Sequence, residues 1–140
     1  MSQEREYKAA EAIELMEMNR ESRTAVIAHA AYDNIDRKKD IARRGMFTKS
    51  WKEQKAVDFL IDHNEGLKPG IVTGLFDDER KAYTKVKFSD STIGTDTMIQ
   101  MDEGIIKGAS FGFYTIKSAQ MEVKGQKVRE LKEVIHFETT

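Results

Sequence analysis

Apolar and polar residues alternate along several short stretches of the chain, a pattern typical of half-buried β-strands. In residues 82–88, alanine, threonine, valine and phenylalanine fall on one face, and a tyrosine and two lysines fall on the other. Residues 71–76 precede this stretch across a charged turn, so the two predict a hairpin. Residues 119–123 and 127–137, joined by a Lys-Gly turn at 124–125, predict a second hairpin at the end of the chain.

Three further strands are predicted from runs of apolar residues. Residues 24–28 and 111–117 form two of them, and residues 56–63 form a third that ends at a histidine. Residues 9–18 fit either a helix or a strand, because Ala, Glu, Leu and Met favour a helix while a polar turn joins the stretch to the next strand. The charged stretch 33–45 is predicted to be a solvated loop.

Two short helices complete the pattern. Thr48 is a suitable N-cap for the first, and the second is expected to begin at Ser91 or Thr92 and to end at Gly104. Many short strands with few helices predict an α+β fold, mostly an antiparallel β-barrel with a few short helices, in one domain of 140 residues. Residues 1–12 are polar and are expected to be loose.

The composition narrows the classes of function. Lys and Arg number 23 against 24 Asp and Glu, so the chain lacks the basic excess of a nucleic-acid-binding protein. There is no cysteine, which excludes disulfides, thiolate metal sites and a cysteine nucleophile. No apolar stretch is long enough to span a bilayer, and the start lacks a signal-peptide pattern. We therefore expect a soluble intracellular protein without membrane or nucleic-acid partners.

Three histidines are candidates for an acid–base role. His29 lies within an apolar, alanine-rich strand, so we interpret it as structural or surface-facing. His63 stands where a strand stops and a turn begins, a common place for catalytic groups on a rigid scaffold. His136 shares a strand face with Glu138 and Val134, which fits either an exposed edge or an acid that orients a histidine.

Ser110 is a candidate nucleophile, although a serine beside a strand is more often a small residue tolerated near the core. Gly108 and Gly112 flank it. Glycine permits close backbone approach, so amide N–H groups here could point at an oxyanion. A serine hydroxyl becomes a useful nucleophile only when an imidazole takes its proton and a third group orients that imidazole.

Five segments follow one another in order: Asp36-Arg37-Lys38-Lys39-Asp40-Ile41 with Gly45-Met46-Phe47, Phe59-Leu60-Ile61-Asp62-His63-Asn64, Thr92-Ile93-Gly94-Thr95-Asp96 with Gly104, Ser110-Phe111-Gly112-Phe113, and Lys132-Glu133-Val134-Ile135-His136-Phe137-Glu138. Together they resemble the prohead (capsid maturation) proteases of tailed bacteriophages. These are serine proteases whose fold is similar to that of the herpesvirus assembly protease. The resemblance covers roughly residues 24–138.

The resemblance implies roles for particular residues. Ser110 matches the nucleophile, His63 the general base and Glu138 the acid that orients the base. His136 is an alternative third member, because the herpesvirus enzymes use a second histidine there, and Glu133 is a weaker one. The reaction would pass through an acyl-enzyme and would need no metal or cofactor.

The resemblance also implies partners. The expected substrates are phage scaffold and major capsid proteins inside the assembling procapsid in the host cytoplasm, followed by the protease itself. A homo-oligomer is implied as well, since the herpesvirus relatives are active as dimers, although no pairing surface is recognisable in the sequence.

Three features depart from the family pattern. Arg44 stands where a proline is common, and the segment 66–70 after the histidine is longer and reordered. The chain stops at Thr140, just after the matched acid, where family members usually continue, so we interpret this end as a truncation or a self-cleavage site. A non-catalytic phage assembly module or a peptide-binding β-barrel remains the alternative function.

Overall fold

The computed structural model describes residues 4–9, 15–53, 56–107 and 109–140. This part of the chain is mostly β-structure with two helices. The elements in chain order are β1 (Glu6–Ala9), β2 (Leu15–Asn19), β3 (Thr24–Ala31), β4 (Asp40–Ala42), α1 (Thr48–Lys52), β5 (Asp58–Phe59), β6 (Gly70–Asp77), β7 (Lys81–Phe88), α2 (Thr92–Asp102), β8 (Ser110–Val123) and β9 (Gln126–Thr139).

The strands form two sheets. One has the order β1-β8-β9-β4, with β5 also paired to β9, and the other has the order β2-β3-β7-β6. Neighbouring strands are antiparallel except for β4 and β5, which both pair parallel with β9. The β-structure is curled into a half-barrel. The closed antiparallel barrel of the herpesvirus type, expected from the sequence, remains a prediction.

Two apolar clusters hold the fold together. One packs Phe47, Phe113 and Leu131 beneath the β8–β9 hairpin, and the other packs Val86 and Phe88 of β7 with side chains from neighbouring elements. Each of these five side chains is at least 99 % buried. Full burial of such a side chain stabilises a fold by about 1.5–3 kcal/mol, so the two clusters give β7, β8 and β9 a rigid base.

The strongest sequence patterns are confirmed. The alternating stretches form the β6–β7 hairpin, and the two final strands form the β8–β9 hairpin around a turn at Lys124 and Gly125. Both turn residues have positive φ angles, 49° and 80°, which explains why glycine suits the second position. Ser91 is the N-cap of α2, and its hydroxyl accepts a hydrogen bond from the backbone N–H of Gly94 at 3.2 Å.

Several predicted boundaries are wrong. The stretch 111–123, predicted as two strands, belongs to the single strand β8, and the apolar run 56–63 contains only the two-residue strand β5. The N-cap of α1 is Phe47 instead of Thr48. A long partner strand extends β8, whereas the chain turns away from the sheet after β5.

The two segments expected to be loose or solvated also differ from expectation. Within 33–45 the short strand β4 pairs with β9, and its Asp40 is buried against Arg129, with atoms 2.9 Å apart. Within 1–12 the described residues include β1, which pairs with β8. The ambiguous stretch 9–18 ends in strand β2, and its residues 10–14 lie outside the described part of the chain. No described helix is long and apolar enough to span a membrane.

Candidate active site

Ser110 is the first residue of β8, and the end of the chain holds its backbone. Its N–H donates to the carbonyl of Thr140 at 2.9 Å, and the Thr140 N–H donates to the Ser110 carbonyl at 2.8 Å. Its side chain is half-buried. The serine hydroxyl therefore projects from a paired, rigid backbone into a partly open site.

His63 lies in a tight turn and not at the end of a strand. Asp62 and His63 both have left-handed backbone angles, with φ of 52° and 55°. The turn is closed by Asn64 N–H donating to the Ile61 carbonyl at 3.0 Å and by Ile61 N–H donating to the Leu67 carbonyl at 3.0 Å. A non-glycine residue in this region costs about 1–3 kcal/mol, and such residues cluster at functional sites.

Glu138 brings a buried carboxylate to the imidazole. Its side chain is 3 % exposed, and Oε1 contacts Nδ1 of His63. Glu138 pairs with Gly112 across the β8–β9 ladder. A Cβ at position 112 would lie 2.6 Å from Cγ of Glu138, so only glycine leaves the carboxylate room to reach His63.

The imidazole of His63 connects the serine to the carboxylate. Ser110 Oγ lies 2.7 Å from Nε2 of His63, while Glu138 occupies Nδ1 on the other side of the ring. A carboxylate accepts a hydrogen bond, so it favours the tautomer with the proton on Nδ1. Nε2 is then free to accept the serine proton, which is the chemistry that turns an alcohol into a nucleophile.

Thr140 also contacts this group, although no pattern in the sequence selects it. Its Oγ1 lies 3.3 Å from Nδ1 of His63 and 3.5 Å from Oε1 of Glu138. Tyr7 was missed as well, because it falls in the segment expected to be loose. Its ring centroid lies 4.3 Å from that of His63. Only long-range pairing brings either residue to the site, so no local pattern could have found them.

The alternative third members lie elsewhere. His136 is fully buried, with Nδ1 accepting a hydrogen bond from Trp51 Nε1 at 3.2 Å and Nε2 donating to the carbonyl of Glu138 at 3.0 Å. Both of its ring nitrogens are therefore engaged away from His63. Glu133 pairs across the ladder with Lys117, whose Nζ lies 3.6 Å from its carboxylate.

His29 is buried, which agrees with the structural interpretation and excludes the surface-facing one. Its Nδ1 lies 2.7 Å from the hydroxyl of Thr84, which in turn lies 2.9 Å from the hydroxyl of Thr139. The rings of His29 and His136 are 4.6 Å apart. Burial lowers the pKa of His136 to about 3, and burial with the neighbouring His136 lowers the pKa of His29 well below its usual value. Both rings are neutral at pH 7.

The two glycines that flank Ser110 do not both have the role expected from the sequence. Gly108, expected to help form an oxyanion site, lies outside the described residues. Gly112 makes room for Glu138, as above, which is a role the sequence did not indicate. Among the described residues, no cluster of three or more His, Cys, Asp or Glu side chains is arranged to hold a metal ion.

A cavity of about 650 Å³ opens beside the nucleophile. Ala109, Asp62 and Thr140, each next to or near a residue of the Ser110–His63–Glu138 group, form its wall on that side. Apolar side chains of other elements line the rest, including Ile27, Phe59 and Met101. The site thus borders a concave, largely apolar surface of the size that binds small ligands or peptide side chains.

Comparison with known proteins places these observations in a family. The family model described as "Caudovirus prohead serine protease" matches residues 11–140. Among solved structures, the bacteriophage T4 capsid assembly protease, gp21, is similar over 96 % of this chain and 94 % of that chain, with a TM-score of 0.67 and 10 % identity. At that identity the likeness concerns the fold alone. No curated protein sequence matches the chain.

Proposed function

The chain belongs to the caudovirus prohead serine protease family, and we propose that it cleaves peptide bonds with Ser110 as nucleophile, His63 as general base and Glu138 as the orienting carboxylate. The observation that carries this proposal is the 2.7 Å contact between Ser110 Oγ and His63 Nε2, with Glu138 at the opposite nitrogen. The family is one of serine peptidases, so the non-catalytic assembly module and the peptide-binding barrel have no observation in their favour.

In the first half of the proposed reaction, His63 Nε2 takes the hydroxyl proton of Ser110 while Oγ forms a bond to the scissile carbonyl carbon. The imidazolium then gives that proton to the nitrogen of the leaving amine, and the C–N bond breaks. An acyl ester remains on Ser110. Glu138 stabilises the imidazolium and fixes its orientation throughout, without taking the proton itself.

In the second half, water attacks the ester carbon while His63 takes one of its protons. The bond between the acyl carbon and Ser110 Oγ breaks, Oγ recovers the proton from His63, and the new carboxylic acid leaves. The two halves use the same three side chains, so the site returns to its starting state without any metal or cofactor.

We assign the third member to Glu138 over His136 and Glu133. Glu138 alone of these three directs its side chain to His63. His136 is held by Trp51 and by the carbonyl of Glu138, and Glu133 faces Lys117. His136 thus supports the backbone of the residue that supplies the carboxylate.

The proposed substrates are phage scaffold and major capsid proteins inside the assembling procapsid, with the protease itself as a further substrate. The family description names a prohead protease, and the similar T4 protein is a capsid assembly protease. The apolar cavity beside Ser110 offers a place for side chains next to the scissile bond. A homo-oligomer stays a prediction.

Cleavage in a procapsid assembled with the cognate scaffold protein tests this function. Ser110→Ala removes the nucleophile, so we expect intact scaffold protein at times when the wild type has degraded it, as read by gel electrophoresis and mass spectrometry. Ser118→Ala is the matched control, since Ser118 is an exposed serine on the same strand. Scaffold cleavage by the Ser110→Ala variant at the rate of the wild type would refute the proposal.

A further inference from the structure

The strand β1 lies outside the region that the family model matches, which begins at residue 11. It nevertheless forms the edge of the sheet that carries the site. Its register places Ala9 opposite Ser110 and Tyr7 opposite Gly112. The strand β1, which precedes the matched region, therefore pairs directly alongside the proposed nucleophile.

Tyr7 and Glu138 approach His63 from two neighbouring strands. Both residues are paired with Gly112, Tyr7 from β1 and Glu138 from β9. Because Gly112 has no side chain, Glu138 packs over it, and the imidazole of His63 contacts both Tyr7 and Glu138. The ring centroids of Tyr7 and His63 are 4.3 Å apart, and the ring planes are inclined by 52°.

We propose that Tyr7 is a positioning residue for the imidazole of His63, an inference that rests on the proposed function. Ser110 and Glu138 fix the two nitrogens of His63, and the Tyr7 ring restricts how that imidazole can swing out of line. The His63 side chain is 30 % exposed and stands on a strained turn, so it has open directions to move unless a neighbour blocks them.

β1 is anchored beside the turn that carries His63. Arg5 Nη1 donates to Glu65, two residues after His63, at 3.1 Å, and Arg5 Nε donates to the hydroxyl of Tyr114 at 3.0 Å. The Arg5 guanidinium also lies 5.1 Å from the centre of the Phe137 ring. The exposed Arg5–Glu65 pair contributes little by itself, so the anchoring depends on the three contacts together.

A second anchor holds the other face of β1. Glu6 pairs with Arg129 of β9 at 2.6 Å, and Lys8, whose side chain is 7 % exposed, lies between the carboxylates of Asp36 and Asp40. A buried charge with two carboxylate partners holds its strand in place, because leaving any of these charges unpaired is costly. The backbone that carries Tyr7 is thereby fixed relative to β8.

Small displacements of a catalytic side chain have a measurable effect on the turnover rate. A displacement of about 1 Å at a catalytic group can cost about 10²-fold in turnover. Loss of the Tyr7 ring would leave both nitrogen contacts of His63 available but the imidazole less restrained. We therefore expect Tyr7→Ala to lower kcat by about tenfold and to leave KM within about twofold of the wild type. Tyr7→Phe keeps the ring, so it should restore kcat.

The test compares variants of the full chain on one peptide substrate taken from the scaffold cleavage site. Phe76→Ala is the control, because Phe76 is an exposed aromatic residue on β6 of the other sheet, where its ring stacks on Tyr83 with centroids 5.0 Å apart. We expect its kcat to stay within twofold of the wild type. In NMR spectra the carbon-bound ring protons of His63 should lose the ring-current shift of Tyr7 in Tyr7→Ala and keep it in Tyr7→Phe.

The outcomes separate this inference from the proposed function. Full activity of Ser110→Ala would overturn the function, whereas full activity of Tyr7→Ala with an inactive Ser110→Ala would overturn only the role of Tyr7. Equal losses of kcat in Tyr7→Ala and Phe76→Ala, with equal losses of thermal stability, would show that Tyr7 is merely structural. A rise in kcat for Tyr7→Ala would show that β1 obstructs the site, which also contradicts the inference.

Discussion

Two histidine environments lie close together in this protein and differ in solvent exposure and in the groups that bond to the imidazole. His63 stands on a partly exposed turn with a hydroxyl at one nitrogen and a carboxylate at the other. His29 and His136 pack against each other in the core with tilted rings, and hydroxyls, an indole N–H and a backbone carbonyl bond to them. A carboxylate stabilises an imidazolium, whereas burial among uncharged groups disfavours the charged ring.

The comparison shows that the two environments are connected through the last residues of β9. The carbonyl of Glu138 accepts a hydrogen bond from His136, while its carboxylate contacts His63. Thr139, between the core and the chain end, bonds to Thr84 in the same buried network. The neutral pair therefore holds the strand that delivers the charged group, and the reactive histidine depends on a structural one.

The largest expected effect is the loss of activity in His63→Ala. Removal of the proposed general base should lower kcat/KM for scaffold cleavage by at least about 10³-fold, with the circular dichroism spectrum unchanged. His136→Ala provides the contrast. It should destabilise the fold by about 2–4 kcal/mol, because it leaves a cavity and an unpaired Trp51 N–H, and lower kcat/KM of the folded fraction far less than His63→Ala does.

Near-normal cleavage by His63→Ala would remove His63 from the mechanism. A loss of activity in His136→Ala as deep as that in His63→Ala, measured on folded protein, would show that the buried pair takes part in the chemistry.

A smaller loss is expected for Glu138→Gln. The amide keeps the shape of the side chain but not its charge, so the imidazolium loses its stabilising partner. We expect kcat to fall on the order of 10²-fold, less than for His63→Ala, since Nε2 of His63 can still take the serine proton. Steady-state kinetics on a peptide taken from the scaffold cleavage site measure this fall in kcat, with Glu133→Gln as the control. A silent Glu138→Gln would assign the third role to another residue.

The smallest expected effect is on the pH dependence of stability. In the unfolded chain His136 binds a proton below its usual pKa of about 6.5, whereas in the fold burial lowers its pKa to about 3. Its contribution to stability is therefore complete above pH 6.5 and is lost as the pH falls toward 3. Well below pH 6.5, the free energy of unfolding falls by about 1.4 kcal/mol per pH unit for each histidine that the fold keeps neutral.

Urea unfolding of the wild type and His136→Gln between pH 6.5 and 5 isolates this contribution, since other titrating groups are common to both. The free energy of unfolding of the variant should fall less steeply with decreasing pH, by up to about 1.4 kcal/mol per pH unit. Parallel curves for the two proteins would mean that His136 is not held neutral in the fold.

The sequence was informative where structure is local. Alternation and turn residues identified the β6–β7 hairpin and α2, because neighbouring residues decide these elements. The order of short motifs selected Ser110, His63 and Glu138, and the structure brings their side chains into contact. These three residues are far apart along the sequence, so the family resemblance was needed to predict that they act together.

The sequence was uninformative where pairing is long-range. Strand β4 looks like a charged loop, and it forms because β9 offers it a parallel partner and Arg129 neutralises Asp40. The left-handed turn at His63 is not marked by a glycine at that position. β1 is short and polar, so its place beside Ser110 follows only from the open edge of β8.

We expect His63 to activate one serine of this protein, Ser110, and no other. Labelling with a fluorophosphonate probe, followed by intact-mass measurement and peptide mapping, tests it most directly. We predict one adduct per chain, located on Ser110, absent in Ser110→Ala and slowed in His63→Ala. An adduct that survives Ser110→Ala, or that maps to another residue in the wild type, would contradict the account.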